Sequence, residues 1–130
     1  MTKQEHIDYW LRTAERDWKV VQSLYDTKEY VYSLFFGHLV LEKIAKALWI
    51  KNNASNQPPK IHNIVSILTQ AGVEITEEQN IFFLQINVFQ LEGRYPDYKD
   101  KIFRNYNAEK TLVILNQIKN ERSWLLKMLQ

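Results

Sequence analysis

Residues 30–52 read YVYSLFFGHLVLEKIAKALWIKN, and this stretch decides the fold. Apolar residues recur in it every three or four positions, which is the spacing of one face of an α-helix. A second apolar set widens that face beyond a narrow stripe, and a helix that is apolar over most of its surface is typically central in a small bundle. The two sets are Leu34, Leu41, Ala45 and Leu48, and Phe35, Val40, Ile44 and Ala47.

Gly37 lies inside this predicted central helix. A glycine in a helix interior costs about 1 kcal/mol relative to alanine. Close approach of a neighbouring helix would offset that cost, so we expect another helix to pack tightly against this position.

The same periodicity extends outward on both sides of the central helix. It predicts long helices over about 7–26, 77–91 and 108–128, and a short helix over about 63–71. A Thr76–Gln79 capping box and Asn107 mark two of the starts, and Gly72 marks one end. The sequence therefore predicts a single all-α domain over 1–130, an up-and-down four-helix bundle with an additional short helix.

Composition excludes several classes of protein. The 130 residues include no cysteine, which rules out disulfides, thiolate metal sites and cysteine nucleophiles. The net charge of +2 is too small to indicate nucleic-acid binding by itself. The sequence has neither a run of about 18 apolar residues nor a signal-peptide core, so we expect no membrane span and a location in the cytoplasm of a bacterium or archaeon. No metal-binding or phosphate-loop motif is present, and we predict no metal site and no cofactor.

A polar row crosses the central helix. His38, Glu42 and Lys46 follow one another at intervals of four residues and so share a face, and Lys43 lies beside them. A glutamate can fix the tautomer of an imidazole, and a lysine can hold a phosphate. The alternative is a structural row, buried or half buried, with an ion pair on the helix.

Two further groups lie outside the long helices. His62 precedes the short helix and is expected either to cap it or to hold an anion at its N-terminus. Arg94, Tyr95 and Tyr98 flank Pro96, and they offer a planar guanidinium and two stacking rings. This turn could equally lock onto a neighbouring helix through Arg94 and Asp97.

Three stretches resemble the HEPN family, the higher eukaryotes and prokaryotes nucleotide-binding domains. Residues 30–48 resemble the family's second helix, with its aromatic start and Glu-Lys-x-x-Lys-Ala-Leu block at 42–48. Residues 58–64 are similar to its Pro…His-x-Leu step, and 94–97 to its Arg-Tyr-Pro turn. The likeness extends over about residues 5–128.

The resemblance implies a helical bundle that homodimerises, binds a nucleotide and often serves a minimal nucleotidyltransferase in a toxin–antitoxin pair. From the polar row and the anion-friendly loop we predict a ligand site formed by His38, Glu42, Lys43, Lys46, His62 and Arg94, with Tyr95 or Tyr98 stacking. Other members are ribonucleases with an Arg-x(4–6)-His motif late in the domain. No histidine follows His62 here, so that motif is missing.

Three hypotheses follow from these observations. The first is a non-catalytic HEPN protein with no catalytic residue, which binds a nucleotide, RNA or another phosphate-bearing ligand and partners a nucleotidyltransferase. The second is a degenerate HEPN ribonuclease toxin that uses Lys43, Arg94 and Tyr98. The third is a purely structural adaptor whose polar row is a satisfied network between helices.

Overall fold

The computed structural model describes residues 1–92 and 104–130. All the regular elements that it describes are helices, which confirms the all-α prediction. They are α1 (Lys3–Asp26), α2 (Tyr30–Asn52), α3 (Ile64–Gln70), α4 (Glu77–Glu92) and α5 (Ala108–Lys127).

Contacts between helix ends give the directions of the helices. The Tyr25 hydroxyl, at the end of α1, donates to the carbonyl of Ala108, where α5 begins. Lys51, at the end of α2, donates to the carbonyl of Met128, just after α5. Consequently α5 runs antiparallel to α1 and parallel to α2, as in an up-and-down bundle.

Side-chain caps begin α4 and α5 at the positions that the sequence indicates. Helix α1 begins four residues earlier than predicted, at Lys3, because the Thr2 hydroxyl accepts a hydrogen bond from the Glu5 N–H. The Thr76 hydroxyl accepts from the Gln79 N–H at 3.1 Å, and the Gln79 amide oxygen accepts from the Thr76 N–H at 2.9 Å, which completes the predicted capping box. Asn107 accepts from the Lys110 N–H at 2.9 Å, so the predicted cap of α5 is confirmed. Gly72 follows α3 with φ 73°, a backbone conformation that suits glycine.

Helix α2 occupies the centre of the bundle and contacts α1, α3, α4 and α5. Its predicted apolar stripe is buried: Leu34, Leu41, Ala45 and Leu48 are at most 1% exposed. Gly37 faces α5, where an added Cβ would lie 2.9 Å from Cδ1 of Ile118. That distance is too short for a real contact, so the expected close approach of a neighbouring helix is confirmed.

Within residues 1–92 and 104–130, no helix combines the length and the hydropathy that a membrane span requires.

Candidate functional site

Glu42 is the centre of a buried polar cluster on α2. Its side chain is only 4% exposed, and its Oε2 accepts a hydrogen bond from Lys46 Nζ at 3.2 Å. His62 Nδ1 lies 3.1 Å from Oε1 and 3.2 Å from Oε2 of the same carboxylate. A carboxylate in a helix core is tolerated when such partners compensate for its lost hydration.

His38 lies one helical turn before Glu42 and is fully buried. Its Nε2 is 2.9 Å from Oδ1 of Asn87 on α4, and the same oxygen accepts a long, weak hydrogen bond from the Ile64 N–H at 3.5 Å. An amide oxygen that accepts from both sides assigns the imidazole proton to Nε2.

The other ring nitrogen of His38 has no such partner. Nδ1 is 4.0 Å from Oε1 of Glu42, beyond hydrogen-bond distance, and accepts or donates no hydrogen bond within the described residues. Burial lowers the pKa of His38, and this effect exceeds the opposing influence of the Asn87 hydrogen bond and the Glu42 charge. The ring is therefore neutral at pH 7, held beside a carboxylate by its neighbours.

His62 belongs to this cluster and does not cap α3. The cap is Asn63, whose side chain accepts from the Ser66 N–H at 3.3 Å, so the capping interpretation of His62 is wrong. The His62 ring reaches back from the loop to Glu42, and Nδ1–H donates to that carboxylate. With its side chain 45% exposed, the ring is the part of the cluster that is most open to solvent.

Lys43 lies apart from the cluster. Its Nζ is 2.6 Å from Oδ2 of Asp17 on α1, and both side chains are mostly buried at that contact. Adjacent residues on a helix point about 100° apart, so position 43 cannot share the face of position 42. The structure thus brings together His38, Glu42, Lys46 and His62 and directs Lys43 to the α1–α2 contact. Arg94, Tyr95 and Tyr98 lie outside the described residues.

A cleft of about 450 Å³ opens on the Lys46 side of the cluster. Helix α1 contributes His6, Tyr9 and Trp10 to its walls, α2 contributes Lys46, and the loop after α2 contributes residues 56–60. Sequence analysis missed the α1 residues and Lys60. Tyr9 carries the one sequence signal that could have revealed them, since it is an aromatic residue outside the apolar stripe of α1. The structure leaves its side chain 48% exposed.

Lys46 links the cluster to this cleft. Its Nζ lies between the Glu42 carboxylate, at 3.2 Å, and the ring of Trp10, whose centroid is 5.4 Å away. Aromatic faces attract cations, so the ring and the carboxylate together hold the ammonium at the cleft wall. The geometry can stabilise a negative charge that enters the cleft. Within the described residues, no three histidine or acidic side chains lie together in an arrangement that could hold a metal ion.

Comparison with known proteins identifies one family. The family model described as HEPN domain matches residues 7–123, which is nearly the whole chain. No curated protein and no solved structure gives a significant match.

Proposed function

The chain belongs to the HEPN domain family, and on that premise we propose that it is a non-catalytic member that binds a nucleotide or another phosphate-bearing ligand. The family as a whole is nucleotide-related or ribonuclease-like. The observation that carries the finer proposal is Lys46, a cation that is only 7% exposed yet borders an open cleft.

The energetics of burial support a ligand-binding role for the cluster. Replacing a buried ion pair by apolar residues of similar volume is often neutral, or stabilising by about 1–4 kcal/mol. Packing alone would therefore favour apolar residues at positions 42 and 46, at the centre of the bundle. Retention of a charged pair with two histidines beside it suggests a use for the charge, and binding of an anion is the use that the cleft accommodates.

The absence of the late histidine supports the non-catalytic part of the proposal. In the ribonuclease members an Arg-x(4–6)-His motif supplies the acid–base group, and here the last histidine of the sequence is His62. Incubation of the pure protein with tRNA and mRNA tests this part. We expect no cleavage, whereas cleavage that Arg94→Ala abolishes would favour the degenerate ribonuclease.

Calorimetry of the full chain tests ligand binding. The protein is titrated with ATP, GTP and a dinucleotide at millimolar concentration, and we expect heat from at least one of them. Lys46→Met should weaken that binding at least about tenfold, as loss of a charge-assisted contact does. Lys43→Met is the matched control, a lysine on the same helix whose ammonium pairs with Asp17, and it should bind like wild type.

The outcomes separate the hypotheses. No heat with any of the three ligands would contradict nucleotide binding. Unchanged affinity in Lys46→Met would show that the buried lysine takes no part in ligand binding. If none of the three ligands gives heat while Lys46→Met still changes the melting temperature, the structural adaptor is favoured.

We also propose a homodimer that serves a minimal nucleotidyltransferase within a toxin–antitoxin pair, in the cytoplasm of a prokaryote. Exposed apolar side chains on two helices support an oligomer: Ile81 and Leu84 on α4, and Leu112 and Val113 on α5. Light scattering should give twice the chain mass of 15.6 kDa, and a mass of one chain would contradict the dimer. A small nucleotidyltransferase encoded beside this chain, and co-purifying with it, is the expected partner.

A further inference from the structure

We propose that the cleft between α1, α2 and the loop of residues 56–60 binds a mononucleotide, with its phosphate at Lys46 and Lys60 and its base against Tyr9 and Trp10. This inference rests on the proposed nucleotide-binding function. It adds a location, an orientation and a ligand size that the sequence did not indicate.

The dimensions of the cleft suit one small molecule. Pockets for small ligands and cofactors usually enclose about 300–1,000 Å³, and this one encloses about 450 Å³. Two features of the fold restrain its walls. Lys3 donates to the carbonyls of Ile50 and Asn53 at 2.8 Å each, which ties the start of α1 to the end of α2. Pro58 and Pro59 restrict the backbone of the loop wall.

One side of the cleft is cationic. Lys46 and Lys60 line it together with His6, and its lining residues include no aspartate or glutamate. The Lys46 ammonium has three N–H groups, and the described residues give it one hydrogen bond, to Glu42. Two donors are therefore left for the oxygens of a phosphate. The carboxylate behind the ammonium keeps it in place, so the ligand meets a cation that is already positioned.

The other side of the cleft is aromatic. Tyr9 and Trp10 lie with their ring centroids 6.0 Å apart in an edge-to-face arrangement, and Tyr9 is half exposed. Exposed rings of this kind stack on nucleobases. Lys46 Nζ is only 5.4 Å from the centroid of Trp10, so the cationic and aromatic sides adjoin. A ligand that contacts both sides must carry its phosphate and its aromatic ring as close together as they are in a single nucleotide.

Calorimetry with ligand fragments tests the inference on the full chain. The four ribonucleoside monophosphates, adenosine and ribose 5-phosphate are titrated separately. We expect at least one monophosphate to bind, with the nucleoside and the sugar phosphate each at least about tenfold weaker, because each lacks one of the two contacts. Tyr9→Ala and Lys60→Ala should each weaken the monophosphate about tenfold. Lys19→Ala, an exposed lysine elsewhere on α1, should leave binding unchanged.

Each outcome tests one part of the proposal: the location of the ligand, its two contacts or its size. Equal affinity in Tyr9→Ala, Lys60→Ala and Lys19→Ala would overturn the location. Adenosine or ribose 5-phosphate binding as tightly as the monophosphate would overturn the two-sided recognition. If ATP, GTP or the dinucleotide binds and no monophosphate does, the size is wrong while nucleotide binding stands. If no nucleotide of any kind binds, the proposed function and this inference fail together.

Discussion

Removing the charge of Glu42 should markedly lower the denaturant concentration at which this protein unfolds. In Glu42→Gln the shape of the side chain is kept, but Lys46 loses the carboxylate at 3.2 Å while its own side chain is only 7% exposed. Leaving a buried charge without its partner costs about 3–5 kcal/mol. His62 also loses its acceptor, but its side chain is 45% exposed and water can replace that contact.

The expected loss is therefore about 3 kcal/mol, dominated by Lys46. For a domain of this size that corresponds to a fall in melting temperature of about 10 °C. Urea denaturation followed by far-UV circular dichroism measures the loss directly. Glu15→Gln is the control, since it removes a carboxylate that pairs with Arg122 and is itself 51% exposed, and it should cost less than about 1 kcal/mol.

A double variant distinguishes an unpaired charge from lost packing. Glu42→Gln combined with Lys46→Met removes both charges, so it should recover to within about 1 kcal/mol of wild type. The reasoning is refuted if Glu42→Gln costs no more than Glu15→Gln. It is also refuted if the double variant is as unstable as Glu42→Gln alone.

Three further predictions concern packing, pH and capping. Gly37→Ala should lower the free energy of unfolding by about 1 kcal/mol in urea denaturation, because overpacking against Ile118 outweighs the gain in helix propensity. Adding Ile118→Val deletes the Cδ1 atom that would lie 2.9 Å away, and it should restore that stability. Stability should decrease as the pH falls below 6.5, by at most about 1.4 kcal/mol per pH unit from His38, because its pKa is lowered in the folded state and the unfolded chain takes up the proton first. The Glu42 charge opposes this lowering of the pKa and His62 reinforces it. Because the predicted pH dependence comes from His38, His38→Gln should show a flatter pH profile of the urea midpoint than wild type. Asn107→Ala should cost about 1 kcal/mol by removing the cap of α5, and an unchanged urea midpoint would contradict that role.

Local signals in the sequence were sufficient for the described helices and for most of their ends, although the start of α1 was predicted four residues too late. Apolar spacing, the capping box at Thr76 and the glycine at position 72 act over three to seven residues, and short-range patterns of this kind can be interpreted without knowing the fold. The broad apolar surface of 30–52 likewise placed α2 at the centre. Their spacing of four residues correctly predicted that His38, Glu42 and Lys46 share one face of α2.

Only the tertiary structure decided which side chains meet. His62 joins Glu42 across 20 residues of sequence, and Asn87 joins His38 across 49, distances over which no spacing rule operates. The same holds for the cleft, whose walls come from α1, α2 and a loop. An all-α bundle with a polar row along its central helix follows from the spacing of residues in the sequence. Packing of the helices determined that the row is a buried cluster around Glu42, because contact between distant residues depends on how whole helices dock.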